Sequence, residues 1–286
     1  MRAAYRIVAA SKATPMTEKI IDAWMQITTE QLAGEAWLAP LLRWTGQGMK
    51  DTLPTVDSTV SAMDAAGVET GLISAWTGPS GVLISNENTV ENAAASKGRL
   101  RPVISVDLKD PMGAVREIRR RAKEGAVGVR ALPWLWEMPP NDRRFYPVYT
   151  ACIEEGLPFC TQIGHTGPLR TSEYGRLIPY LEDVLLDFPE LVVVGGHVGF
   201  PWVGEVASLL HKFPNFYVDT SAYVLHRLPP DFVRLMKNEG RKRIMFGSNW
   251  PMLAPTQCLK GLDGLDLDEV TTALFLSENA RRVFKL

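Results

Sequence analysis

Eight short apolar or β-branched runs recur along the chain with helix-length stretches between them, and this rhythm constrains the fold more than any other feature. The runs centre near residues 22, 74, 105, 129, 161, 194, 218 and 246. Most are separated by roughly 24 to 33 residues, the length of one strand–helix unit. The stretches between them read as helices. Residues 56–69 place Val56, Val60, Met63 and Ala66 on one face. Residues 110–125 open on Asp110 and Pro111 and close on Gly125, 145–156 end on Gly156, 178–189 stop at Pro189, and 230–240 end on Gly240. An acid or proline at the start and a glycine at the end are helix boundary signals. Alternation of this kind predicts an α/β chain folded as a (β/α)8 TIM barrel, with an open doubly wound sheet as the alternative. No G-x-G-x-x-G follows the first run, which counts against a dinucleotide-binding sheet. The first interval is the longest, roughly 52 residues, and carries Trp37, Leu38, Leu41, Leu42 and Trp44 before GQGMKDTLP. It predicts an enlarged first βα loop over the barrel mouth, serving as a hydrophobic lid or a subunit contact.

Composition narrows the partners. The formal net charge is −1, so no strong field attracts nucleic acid or an anionic membrane. No apolar run approaches the ~18 residues of a membrane span. The first residues, MRAAYRIVAASKATPM, lack a sustained apolar stretch, so no signal peptide is expected. Cys152, Cys160 and Cys258 are odd in number and form no C-x-x-C pair, so neither a disulfide framework nor a zinc ribbon is expected. A cytoplasmic protein acting on a small molecule is the expectation.

In a barrel, functional side chains sit at the C-terminal ends of the strands. Those ends carry Asp22, Trp24 and Gln26 on the first run, Trp76 and Thr77 on the second and Asp107 on the third. Next come Arg130, then Gln162 and His165, then His197, then Asp219, Thr220 and Ser221, and last Ser248 and Asn249. Two of the four histidines therefore close consecutive strands, each among glycines, in IGHTGP and GGHVGFPW. That placement marks His165 and His197 as metal ligands or acid–base groups, whereas His211 and His226 read as surface residues. Two imidazoles alone make a poor zinc site. Asp22, Gln26, Asp219 and Asn249 are the candidates for a third donor. Arg130 either clamps a substrate carboxylate or pairs with a strand-end acid such as Asp107. Trp24, Trp76, Trp134, Trp136 and Trp250 either wall the substrate site or pack as core and lid.

LPFCTQIGHTGP, FPELVVVGGHVGFPW, FPNFYVDTSAY, RIMFGSNWPM and the terminal SENARRVFKL together resemble the amidohydrolase-2 family, most strongly over residues 145–286. The resemblance implies one distorted (β/α)8 domain over 1–286 and a divalent metal held by an H-x-H pair, two further histidines and an aspartate. By motif, His165 and His197 match the strand-five and strand-six histidines. Trp24 and Gln26 stand in the H-x-H positions, and Asn249 stands for the aspartate. The resemblance thus implies a metal-dependent hydrolase or decarboxylase for a small carboxylated or aromatic substrate, with a rebuilt site. His165, His197 and Gln26 are its expected ligands to Zn, Mn or Fe, one ion or none. His197 and Asn249 are its expected catalytic groups, and Arg130, Trp24, Trp76 and Trp250 its substrate contacts. The alternatives are a catalytically silent subunit supporting a related metal-competent chain, and a metal-dependent oxygenase with unusual ligands. Self-association or hetero-association follows from the same resemblance.

Overall fold

Each of the eight runs forms a strand in the computed structural model, which describes residues 19–45 and 53–286. The strands are β1 (Ile20–Met25), β2 (Val68–Ser74), β3 (Trp76–Gly78), β4 (Gly81–Ile84), β5 (Leu100–Ile104), β6 (Gly128–Arg130), β7 (Phe159–Gln162), β8 (Val193–Gly196), β9 (Phe216–Asp219) and β10 (Ile244–Met245). Eight of them pair in the order β1-β2-β5-β6-β7-β8-β9-β10, always parallel. The first and last strands then meet. Ala23 N donates to Phe246 O at 3.0 Å, Asn249 N to Trp24 O at 2.8 Å and Gln26 N to Trp250 O at 2.9 Å, with a parallel bridge between Met25 and Trp250. The barrel is closed by the segment carrying the predicted site residues Trp24, Gln26 and Asn249. The pair β3–β4 is an antiparallel hairpin, absent from the sequence expectation because each arm is too short to show a period.

The expected helices form, at Val56–Ala66, Pro111–Lys123, Tyr146–Glu155, Tyr180–Asp187 and Pro230–Lys237. Their starts follow local chemistry. Thr55 and Ser58 make a reciprocal capping box, and the Asp110 carboxylate accepts from Gly113 N ahead of Pro111. Helix residues such as Ile118, Val148, Val184, Val206 and Phe232 pack with strand residues Ile104, Val129, Phe159, Val193 and Ile244 in one buried cluster. That burial is the main stabilising term, since isolated helices of this length are marginal. In β1, Ile21 and Ala23 join a buried cluster with Leu72, Val103, Cys160, Val194 and Met245 of five other barrel strands and with Ala280, Val283 and Phe284. The β1–β2 register shifts between Asp22 and Met25. Trp24 reaches Arg130 of β6 and His197 after β8, strands that do not neighbour β1 in the sheet, so these contacts are made across the barrel interior.

After β1, the described part of the enlarged loop folds as short helices at Glu30–Ala33, Ala36–Leu38 and Ala39–Thr45. Trp37 packs edge-on against Trp134, ring centroids 5.3 Å apart, and its carbonyl accepts from Leu169 N at 2.9 Å. The loop therefore lies as a lid across the mouth. Residues 46–52 and the N-terminal 1–18, with the segment MRAAYRIVAASKATPM, lie outside the described residues. No helix among the described residues is long and apolar enough to cross a membrane.

Candidate functional site

A cavity of about 170 Å³ opens beneath this lid. Leu32, Leu38 and Leu41 cover it, Trp76, Trp134 and Met252 wall it, and Gln26, Gln162, His165, His197, Tyr223 and Asn249 supply its polar atoms. It thus gathers the ends of five parallel strands, β1 and β7 to β10. Four non-glycine residues at these ends hold a left-handed backbone: His197 at φ 74°, Val198 at 65°, Ala222 at 65° and Asn249 at 75°. For a β-branched valine this is an outlier, and such strain clusters where surrounding structure fixes a functional geometry.

His165 and His197 come together because two loops touch. A Cβ on Gly164 would lie 2.6 Å from Gly199 C and from Phe200 O, so only glycine allows the contact. His165 N donates to Phe200 O across it, at 2.6 Å. The His165 ring is exposed, with Nδ1 3.3 Å from Ser172 Oγ. The Gln162 amide is pinned between Trp134 Nε1, which donates to its oxygen at 2.8 Å, and the His165 carbonyl, which accepts from its nitrogen at 3.0 Å.

His197 is held from below. Its Nδ1 lies 2.6 Å from Ser221 Oγ, and that hydroxyl donates to Asp219 Oδ1 in a short bond. A hydroxyl has one proton, so Ser221 accepts from Nδ1–H and leaves His197 Nε2 with its lone pair. Burial, and then the Arg130 charge, push the imidazole down to about 3, so the ring is neutral at neutral pH.

Trp24 fills the interior under His197. Its ring centroid is 4.7 Å from the imidazole, and the Arg130 guanidinium carbon sits 3.6 Å from the same indole. The ring rests on Gly196, where a Cβ would fall 2.3 Å from Trp24 Cζ3 and 2.5 Å from Cε3. Gly196→Ala therefore overpacks the barrel. The expected cost is about 1–3 kcal/mol, read from urea unfolding; wild-type stability in this variant would refute the packing described.

Arg130 is 1% exposed and does not line the cavity; Trp24 lies over it. Its Nη2 donates to Ala23 O at 3.3 Å, while Nε and Nη1 find no partner among the described protein atoms. Burial pulls its pKa down, and the charges that hold it up include Asp219 and Asp22. The alternative partner Asp107 is exposed and instead accepts from Lys109 N at 2.8 Å, so that pairing does not form. Asp22 is fully buried; its Oδ1 accepts from Ser248 N at 2.9 Å and Trp24 N at 3.1 Å. Desolvation drives it up to about 7. Asp219 is likewise raised by burial.

The other expected contacts divide. Trp76 lines the cavity, whereas Trp24 lies under it and Trp250 turns outward, donating to Thr59 Oγ1 at 3.1 Å. Trp134, one of the expected walls, lines it, as do Gln162, a strand-end residue given no ligand role, and Tyr223, which no sequence feature marked. The strand-end polar residues flagged Asp219 and Ser221, but not their relay to His197, because that contact joins residues 24 positions apart.

Donor chemistry tests the expected divalent ion. Among the described residues no three His, Cys, Asp or Glu side chains converge as a metal-binding group. Gln26 directs its amide nitrogen at Asn249 Oδ1, 3.1 Å away, and at the Trp250 carbonyl, leaving Oε1 without a protein partner. His165, His197 and a neutral amide oxygen make a set without a carboxylate, poorly matched to a hard ion such as manganese. Arg130 already disfavours positive charge at His197. These residues are a poor match for a hard divalent ion such as manganese.

The amidohydrolase family model matches residues 47–286. No curated protein matches the chain in sequence. Among solved structures, an uncharacterised TIM-barrel protein from Bordetella bronchiseptica aligns with TM-score 0.79 at 24% identity, covering 93% of this chain and 98% of that one. A 2,6-dihydroxybenzoate decarboxylase from Rhizobium aligns with TM-score 0.74 at 17% identity, over 94% and 99%. A dihydroxybenzoic acid decarboxylase from Polaromonas sp. JS666, solved with manganese and the inhibitor 2-nitroresorcinol, aligns with TM-score 0.71 at 18% identity, over 94% and 97%. At these identities the likeness is one of fold.

Proposed function

The chain belongs to the amidohydrolase family, and on that premise we propose that it binds a small aromatic molecule at its barrel mouth without the divalent ion of its manganese-containing relative. The observation that carries this reading is the Trp24 indole, which stands in an H-x-H position, packs on His197 at 4.7 Å and covers Arg130 at 3.6 Å. A packed indole supplies no donor, and the cation behind it opposes a second positive charge. The aromatic part of the proposal draws on the Trp76 and Trp134 walls and on the cavity size. About 150 Å³ of dry apolar cavity holds one benzene ring. The reading corresponds to a supporting chain rather than to a metal-assisted hydrolase or decarboxylase.

A second reading keeps hydrolysis or decarboxylation on a rebuilt centre of His165, His197 and Gln26, with Asn249 assisting. It draws on one fact, that all four border the same cavity. One measurement separates the two. Purified protein is loaded with excess Mn²⁺ or Zn²⁺, dialysed and analysed for metal. The expected content is far below one ion per chain. About one retained ion per chain, lost in the double substitution His165→Ala and His197→Ala, would establish the second reading instead.

A further inference from the structure

The cavity has room for little beyond one ring. Its volume, about 170 Å³, barely exceeds the roughly 150 Å³ of dry apolar space that holds benzene. A longer substituent on a bound ring therefore leaves through the mouth. There the cavity adjoins an open groove, with which it shares His165, Gly167 and Pro168. Arg43 of the lid lines this groove, as do Arg170, Thr171 and Ser172 of the loop after β7.

The groove departs from the charge balance of the chain. The sequence holds 31 basic and 32 acidic residues, yet two arginines and no Asp or Glu line the groove among the described residues. Arg43 is exposed and has no salt-bridge partner among them. Arg170 gives Nη1 to Glu137 Oε1 at 2.7 Å, and Glu137 does not line the groove. A guanidinium has five N–H donors in a planar fork, so one such bond leaves donors for a second anion. The groove is also fixed in advance. Leu169 N donates to Trp37 O of the lid at 2.9 Å, Gly164 N to Gly175 O at 2.7 Å and Thr166 N to Ser172 Oγ at 2.9 Å. Donors already held in place cost less to organise around a ligand.

We infer that this groove is a subsite for an anionic group, a carboxylate or a phosphate, carried on a flexible arm by the ring that occupies the cavity. This rests on reading the cavity as a small aromatic site. The ring stays between Trp76 and Trp134, and the anion sits at the rim facing Arg43 and Arg170. A single exposed ion pair contributes little, but two arginines able to hold one anion through paired N–H bonds contribute more.

The test titrates the intact chain with three probes by ligand-observed NMR at pH 7.5. They are 3-phenylpropionate, 2-phenylethyl phosphate and the neutral 3-phenylpropanamide. At least one anion is expected to bind about fivefold or more tightly than the amide at low salt, and the tighter of the two identifies the head group. That advantage should fall in about 0.5 M NaCl, with amide binding unchanged. Arg43→Gln should reduce it, and the double substitution Arg43→Gln and Arg170→Gln, checked for folding by circular dichroism, should remove it without weakening the amide. An amide that binds as tightly as both anions overturns the subsite while leaving the aromatic site standing. An anion advantage undiminished in the folded double variant overturns its location. No binding of any probe up to roughly 10 mM fails the aromatic-site reading, and the subsite with it.

Discussion

Replacing Arg130 with alanine is expected to lower folding stability by about 3–5 kcal/mol at pH 8, the cost of stripping one partner from buried charges. Arg130 is the cation facing Asp22 and Asp219 inside the barrel, and each of those carboxylates has an Oδ2 without a protein partner. Truncation removes the cation that favours the ionised form of both carboxylates in a low-dielectric interior and also opens space beneath the Trp24 ring. Arg130→Lys restores charge but not the planar group stacked at 3.6 Å from the indole, so it should recover only part of the loss. The penalty should shrink as pH falls, because a protonated carboxyl has no charge to neutralise. Urea denaturation at several pH values measures all of this. An alanine variant within about 1 kcal/mol of wild type at pH 8 would mean that Arg130 does not neutralise the pair.

The second large effect concerns Asp22 itself. Its native pKa, about 7, lies above the ordinary value of 3.8, so the native state binds a proton that the unfolded state has released between those limits. The stability associated with the protonated carboxyl is complete below about 4 and is lost as pH rises through 7. At about 1.4 kcal/mol per pH unit, the full loss is about 4 kcal/mol. An asparagine side chain at this position keeps an acceptor for Ser248 N and Trp24 N and cannot ionise. Asp22→Asn should therefore gain on wild type by that slope from about pH 4 to 7 and hold a constant advantage above it. A stability difference independent of pH would show that Asp22 titrates normally. His197 works with the opposite sign. Held near 3 against an ordinary 6.5, it favours the native state above 6.5 and withdraws that support as pH falls toward 3. Asp22 and His197 thus oppose each other across the mildly acidic range, and each single substitution exposes the other's slope.

Much of the barrel is legible without coordinates. The eight strands follow from the recurrence of apolar runs, and the helix ends from residues such as Thr55, Asp110 and Gly156, because periodicity and capping are local properties. The hairpin β3–β4 was missed, since its arms have three and four residues. The positions of His165 and His197 at strand ends were also legible, because the fold class dictates where strand ends gather. What they do there was not. Arg130 reads in one dimension as a mouth residue ready for a carboxylate, and in three it lies under Trp24.

The strand–helix alternation and the family signature are thus properties of the chain read alone, and the resemblance implies that Trp24, Gln26 and Asn249 stand where metal ligands are expected. Only the tertiary structure decided that Trp24 is packed between Arg130 and His197, that Ser221 links His197 to Asp219, and that the cavity is lined by uncharged groups. The physical reason is distance along the chain. Secondary structure is set by neighbours within a few positions, whereas these contacts join residues such as 24 and 130 or 26 and 249. Whether a charge faces a ligand or lies buried behind an indole depends on barrel closure, which no local pattern records.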